Sequence, residues 1–339
     1  MSKRKLTRQQ QHRIQKVQDE RLARAQKKAD KIESQLEGGE LGEARRGLII
    51  AHYGITTEVE AEDGTTVRCH KRSNLPPLVT GDQVIWQPDP QEGGVIVATE
   101  ERRTLLSRPD SRGQLRPVAS NIDRIIIVAA PTPRTPANLI DRYLVAAAHD
   151  EIHPIILLNK SDQLDQAPDM VREMEEYRDL GYETHAVSAQ TEEGMQAIRA
   201  LVAEGNSVFV GQSGVGKSSI IAALLPDEVI RVGAISEATG KGKHTTTTAA
   251  LYHIPGAGNL IDSPGIREFG LWHVETDSLF QGFPELDDAA GRCKFRDCAH
   301  ETEPGCAVRA AVESGKLLPR RYHSFLSIRD SLNEVSMRK

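Results

Sequence analysis

The spacing of hydrophobic and polar positions changes three times along the chain. From Ser2 to about Glu43 the residues are mainly Lys, Arg, Gln, Ala and Glu without proline, which predicts a helix with little apolar face, ordered only against a partner. Gly38, Gly39 and Gly42 break it, and from Gly47 to about Arg108 short alternating runs predict strands. Glu58–Ala61 and Thr66–Cys69 flank the turn Asp63-Gly64, with Gln83–Trp86 and Val95–Ala98 following, the pattern of a small β-barrel. Strands and helices then alternate: strand Arg124–Ala130, helix Ala137–His149, strand Pro154–Leu158, helix Ala167–Leu180, strand Glu183–Val187, helix Glu192–Ala203, strand Ser207–Gly211. That rhythm predicts an α/β fold, a parallel sheet with helices on both faces. It ends after Asp262, and a short cysteine-bearing, helix-rich tail closes the chain. The expected divisions are an arm over 1–45, a barrel over 46–117, an α/β domain over 118–274 and a tail domain over 275–339.

Composition changes this picture little, charge more. With 339 residues the chain can bury a sizeable core without disulfide staples. The net charge of −5 hides an asymmetry: residues 1–31 carry eleven Lys and Arg against three Asp and Glu, so the arm is +8 and the remainder −13. A basic arm on an acidic body suits a polyanionic partner, although a solvated helix has the same composition. The first residues have no apolar run of signal-peptide type, and the longest apolar run, Ile125–Ala130, is far too short to span a membrane. A monomer in the cytoplasm is expected. Cys69 stands alone and reads as core packing; Cys293, Cys298 and Cys306 are clustered and argue for metal.

Chemistry concentrates in three segments of the α/β part. Gly211-Gln212-Ser213-Gly214-Val215-Gly216-Lys217-Ser218-Ser219 has the phosphate-loop spacing between a predicted strand and a predicted helix. Glycines there let backbone N–H groups face phosphate oxygens at a helix N-terminus, Lys217 adds charge for the β- and γ-phosphates, and the Ser218 hydroxyl suits Mg²⁺. Asn159-Lys160-Ser161-Asp162 follows an apolar strand and has the form of a guanine-reading motif. Asp162 can accept from guanine N1–H and its exocyclic amine, a donor pair that adenine lacks, so GTP is favoured over ATP. Ser188-Ala189 follows the next strand, where the Ala189 N–H can meet guanine O6. Asp262-Ser263-Pro264-Gly265 ends a further apolar strand, placing Asp262 behind Mg²⁺ and Gly265 near the γ-phosphate. The polar run Gly240–Thr248, with four consecutive threonines, supplies hydroxyls for the Mg²⁺ shell, with Thr246 the favoured ligand and its neighbouring threonines as alternatives.

The order is unusual, because the guanine motif precedes the phosphate loop by about fifty residues. Guanine motif, Ser188-Ala189, phosphate loop, threonine run and then Asp262–Gly265 resembles a circularly permuted P-loop GTPase. Such a permutation keeps the sheet and moves the chain ends, so the switch segments lead into the tail domain. In that tail Cys293, Cys298, His300 and Cys306 form a Cys₃His set suited to one structural, tetrahedral Zn²⁺. Leu318–Phe325 adds arginines and aromatics that fit RNA or, equally, a packing helix. An oligonucleotide-binding barrel is one candidate for the N-terminal strands, supported by Arg102, Arg103, Arg108, Arg112 and Arg116 at its exit.

Barrel, permuted GTPase domain and Cys₃His tail together resemble the RsgA (YjeQ) family of small-ribosomal-subunit-dependent GTPases, over about residues 46–330. The resemblance implies binding of the small subunit and its rRNA near the decoding region in late maturation, subunit-stimulated conversion of GTP to GDP, and release afterwards, with other assembly factors as further candidate partners. It also implies that His244 positions or polarises water, since Ile266 stands where many GTPases have a glutamine. Gly214 stands where potassium-activated relatives carry asparagine, so no potassium dependence is expected. A nucleotide-gated RNA-binding scaffold with negligible turnover stays open as the alternative.

Overall fold

The computed structural model describes residues 41–53, 55–89, 93–109, 114–225, 249–262 and 276–336. They fall into two compact units, one running to Leu78 and resuming over Gln83–Glu101, the other made of Val79–Asp82 and the chain from Arg102 onward. The helix expected over residues 2–43 lies almost wholly outside the described residues.

The first unit is a five-stranded barrel of β1 (Arg45–Tyr53), β2 (Thr56–Ala61), β3 (Thr66–Lys71), β4 (Gln83–Asp89) and β5 (Gly93–Thr99). The strand order is β1-β2-β3-β5-β4 with β4 pairing back to β1, and only β3 and β5 run parallel. This closed arrangement is the oligonucleotide-binding barrel, and closure removes the sheet edges. Alternation along β1 and β2 sends Ile49, Ala51 and Val59 inward to Cys69, Val84, Trp86 and Ile96. Two glycines admit the indole of Trp86: a Cβ on Gly47 would lie 2.9 Å from Trp86 Cδ1 and one on Gly94 2.8 Å from Trp86 Cε3. Losing that side chain from so tight a core would cost about 3–5 kcal/mol. Cys69 is fully buried, and burial pushes its thiol up to about 12, so it packs as a small apolar group.

In the second unit the strands are ordered β10 (Glu183–Ala186), β9 (His153–Leu158), β8 (Arg124–Ala129), β11 (Asn206–Val210), β13 (Asn259–Asp262) and β12 (Ala250–His253). All neighbours are parallel except β12 and β13. Helices α1 (Ala137–His149), α2 (Pro168–Asp179), α3 (Glu192–Leu201) and α4 (Lys217–Leu224) complete the α/β part. Ile125 to Ala129 of β8 are all fully buried, as a strand covered on both faces requires. The core joins Ile126, Val128, Leu157 and Phe209 of the sheet to Ile198 and Val202 on one side chain stripe and Ile220 and Leu224 on another. Steps β8 to β9 to β10 run one way and β11 sits on the other side of β8, so the order reverses between β8 and β11. Ligands of such sheets bind outside the carboxyl ends of the strands at that reversal.

A hairpin of β6 (Leu105–Pro109) and β7 (Leu115–Ser120) precedes this sheet. After it come a 3₁₀ segment, Thr276–Gly282, and helices α5 (Pro284–Ala290), α6 (Ala307–Glu313) and α7 (Pro319–Ser336). On α7 the buried positions Arg321, Phe325, Ile328 and Leu332 recur every three or four residues, one face of a helix. Arg321 on that face is fully buried: Nη1 donates to Asp141 Oδ1 on α1 at 2.7 Å, Nε to Glu285 Oε1 on α5 at 2.7 Å, and Nη2 to the Gly282 carbonyl at 2.7 Å. Its guanidinium also lies 4.1 Å from the Phe283 ring centroid. Arg320 beside it bonds Glu176 Oε2 and the Tyr177 hydroxyl, both at 2.9 Å. These two arginines are therefore packing groups, which resolves the double reading of Leu318–Phe325 against an RNA-facing role for them. No helix among the described residues is long and apolar enough to cross a membrane.

Candidate functional site

The phosphate-loop sequence lies on the turn from β11 into α4, at the reversal point of the sheet. Gly211 has φ 138°, and a Cβ there would lie 2.3 Å from the Val128 carbonyl oxygen of β8. Gly216 has φ 105°, and its Cβ would lie 2.3 Å from Asn159 Nδ2. Both the left-handed backbone and the close approach exclude a side chain at these positions. Lys217 opens α4, and its Nζ folds back to donate to the carbonyls of Gly211 and Gln212, each at 2.6 Å. Its ammonium is thereby held over the loop, nine-tenths buried, while Ser213, Ser218 and Ser219 are exposed.

Three loops from distant parts of the chain meet here, and Asn159 joins them. Buried at the end of β9, it donates from Nδ2 to the Val215 carbonyl of the phosphate loop at 2.9 Å and accepts at Oδ1 from the Ala189 N–H at 3.0 Å. Lys160 next to it has φ 61°, and its Nζ reaches the carbonyls of Thr132 at 2.6 Å and Gly214 at 2.9 Å. Asp162 opens the 3₁₀ turn Ser161–Gln166 and is exposed. Ser188 is buried, and its carbonyl approaches Gly194 so closely that a Cβ there would lie 2.0 Å away. The Ala189 N–H expected to meet guanine O6 is held by Asn159, so contact with a base requires that donor to be shared or exchanged. Asp262 ends β13 and is half-buried; Gly265, His244 and Thr246 lie outside the described residues.

Gln212 does more than fill a variable position of the phosphate loop. Its Nε2 donates to the carbonyls of Pro133 at 3.0 Å and Arg134 at 2.9 Å, tying the phosphate loop to the turn between β8 and α1. Thr135 closes that turn, accepting at Oγ1 from the Ala130 N–H at 3.0 Å. No motif marks either residue, since their partners sit on a neighbouring strand's loop.

The Cys₃His set converges as well. The ligand atoms of Cys293, Cys298, His300 and Cys306 all lie within 4.8 Å of one another. Cys293 Sγ is 4.0 Å from Cys306 Sγ, and His300 Nδ1 is 3.6 Å from Cys293 Sγ and 3.5 Å from Cys306 Sγ. A tetrahedron with Zn–S bonds of about 2.3 Å has S···S edges of about 3.8 Å and S···N edges of about 3.5 Å, which the three edges among Cys293, His300 and Cys306 match to within a few tenths of an ångström. Backbone N–H groups of Ala307 and Arg309 point at Cys293 Sγ and Cys306 Sγ, at 3.3 and 3.5 Å, as donors to thiolates do. Burial pulls the His300 imidazole below its usual value, keeping it in the neutral, ligating form. Phe280 and Phe325 pack on that imidazole, and the Tyr322 hydroxyl donates to the His300 carbonyl at 2.6 Å.

The basic residues at the barrel's exit divide. Arg102 holds buried Asp82 through Nε at 2.7 Å and Nη2 at 2.8 Å and is structural, whereas Arg103 pairs with Asp123 at 2.6 Å in an exposed ion pair. Arg108 and Arg116 face each other across the hairpin and are exposed, whereas Arg112 lies outside the described residues.

Comparison with known proteins agrees with this geometry. A profile of the RsgA GTPase family matches residues 99–272. The small ribosomal subunit biogenesis GTPase RsgA of Azotobacter vinelandii is 54% identical over 340 residues, covering 98% of this chain and 99% of that protein. Its namesake in Pseudomonas aeruginosa is 54% identical over 337 residues, 99% of each. Among solved structures, YjeQ from Thermotoga maritima superposes with a TM-score of 0.69 at 31% identity, covering 86% of this chain and 99% of that one. YloQ, described as a circularly permuted GTPase, gives 0.68 at 28% identity over 88% and 96%.

Proposed function

The chain belongs to the RsgA GTPase family, and from that premise we propose that it hydrolyses GTP to GDP and phosphate while bound to the small ribosomal subunit during its late maturation, hydrolysis driving its release. The observation that carries this reading is Asn159, whose one side chain joins the phosphate loop to the two loops that would read guanine. Because β8, β9, β10 and β11 are parallel, their carboxyl ends lie on one edge whatever their order in sequence, so the permuted chain builds the same site as an unpermuted one.

In this reading the backbone N–H groups of Gly211–Ser219 cradle the phosphates, and Lys217 moves from the loop carbonyls to the β- and γ-phosphate oxygens. Asp162 takes the guanine N1–H and amine, while Asn159, Lys160, Ser188 and Ala189 shape the base pocket. Ser218 and Thr246 would hold Mg²⁺, with Asp262 behind it and Gly265 near the γ-phosphate; the ion would supply positive charge against the charge developing on the transferred phosphoryl group. His244 positions the attacking water in the subunit-bound state, the aliphatic Ile266 being unable to do so. Cys293, Cys298, His300 and Cys306 hold one Zn²⁺ that fixes the tail. The barrel and the basic arm bind rRNA, and work on the small subunit puts the protein in the cytoplasm.

The test is GTP turnover with and without purified small subunits. Strong stimulation by small but not large subunits is expected, and Lys217→Ala should abolish it. Turnover indifferent to small subunits would sink the reading.

A further inference from the structure

We infer that Phe295, at the crown of the zinc loop, is a stacking platform for an unpaired RNA base, an inference that rests on the small-subunit reading above and names the contact by which the tail domain grips its partner. Between Cys293 and Cys298 the residues Lys294, Phe295, Arg296 and Asp297 are all exposed. Phe295 keeps 41% of its surface in water, one of few large apolar side chains among the described residues to do so. Its neighbours show what the fold does with phenylalanines it needs for packing. Phe280 and Phe325 lie 4.8 Å apart and cover the His300 ring, and Phe283 meets Phe325 edge-on at 5.5 Å. That cluster closes the inner side of the zinc loop, while Phe295 stands on the outer side.

Charge says what kind of face the ring awaits. The Lys294 ammonium lies 5.4 Å from the Phe295 ring centroid, and Arg292 and Arg296 flank the same stretch, three cations against the single carboxylate of Asp297. Of the carboxylates on either side in sequence, Asp287 and Asp288 are exposed on α5, Glu301 is paired with Arg329, and Glu303 accepts the backbone N–H groups of Ala299, Glu301 and Thr302. Within residues 292–297 a chain of net charge −5 thus sets three cations beside one aromatic ring. A partner with planar apolar faces on a polyanionic backbone complements that pattern, and RNA is such a partner. The base must be unpaired, because the faces of bases within a duplex are already stacked.

The loop is also fixed before any partner arrives. Both of its ends are members of the Cys₃His set, and the Lys294 N–H donates to the Gly305 carbonyl at 3.2 Å. A Cβ on Gly305 would lie 3.2 Å from Lys294 Cβ, so the two strands of the loop are in contact. Stacking on a ring held this way orders little that was loose, which favours affinity.

The experiment measures binding of the zinc-loaded, full-length chain to purified small subunits with a non-hydrolysable GTP analogue. Phe295→Ala and Phe295→Leu should each weaken binding about tenfold, while Phe295→Trp holds the wild-type value. Intrinsic GTP turnover and zinc content should be unchanged in all three, and Arg296→Gln should instead make the salt dependence shallower. As a second readout, the added indole of Phe295→Trp should be quenched by a single-stranded RNA of about twelve nucleotides and not by the same sequence as a duplex. Full affinity in Phe295→Ala would overturn the inference and leave the GTPase reading standing. Full affinity in Phe295→Leu would also overturn it, marking an apolar contact with a ribosomal protein. A wild-type chain that ignores small subunits would sink both readings together.

Discussion

Asn159 and Asp162, three residues apart, show how burial assigns different tasks to similar side chains. Asn159 is buried with both ends of its amide bonded, so it shapes the pocket; Asp162 is exposed, so its carboxylate is available to a base. Replacing Asp162 by Asn exchanges two acceptor oxygens for one acceptor and one donor, and the donor opposes the guanine amine. Two hydrogen bonds to a charged group are worth about 1.5–3 kcal/mol each, so GTP affinity should fall at least a hundredfold in Asp162→Asn. Thermal stability should hardly move, because an exposed carboxylate is lost. Titration with a fluorescent guanine nucleotide decides the matter, and unchanged affinity would remove Asp162 from the site.

Between elements, a buried clasp joins three parts of the fold: Arg321 of α7 reaches Asp141 of α1, Glu285 of α5 and the Gly282 carbonyl. Asp141 and Arg321 are both fully buried, so neither charge can turn to water if the other is removed. Arg321→Ala should therefore cost about 3–5 kcal/mol, well above an exposed ion pair, read as a shift of the denaturation midpoint in urea. A loss below about 1 kcal/mol would show that Asp141 finds another partner or takes up a proton. The same helix α1 follows the turn held by Gln212, so the clasp also steadies one wall of the nucleotide site. The Cys₃His loop and the clasp both tie into α7: the Tyr322 hydroxyl donates to the His300 carbonyl while Arg321, one residue earlier, reaches Asp141 of α1.

At the scale of the whole molecule, charge is divided rather than balanced, with a basic arm of +8 over residues 1–31 on a body of −13. If rRNA is the partner, each phosphate neutralised releases a counterion, and affinity for small subunits should fall at least tenfold between about 50 and 200 mM salt. Deleting residues 1–40 should flatten that slope, because the acidic body repels the same phosphates. Binding that ignores salt would point to ribosomal protein instead.

Elements and local chemistry are legible in the chain alone. Ile125–Ala130 and Ile155–Leu158 read as strands covered on both faces because a parallel sheet leaves no polar face, and the phosphate loop was legible because its glycines answer to backbone geometry within a few residues. The Cys₃His set was equally plain, its ligands lying within fourteen positions. Which polar side chains support the fold and which stay available for chemistry depends on contacts between distant elements. Arg320, Arg321 and Arg102 look like RNA contacts in sequence, yet each is held by a carboxylate on another element, Arg321 by one 180 positions away. Asn159 finds its phosphate-loop partner 56 positions on. Such pairings follow from the strand order that brings β8, β9, β10 and β11 side by side. An arginine's place in the chain does not encode whether its fork will meet water, phosphate or a buried aspartate; packing settles that, because a buried charge persists only where another element supplies its counterpart.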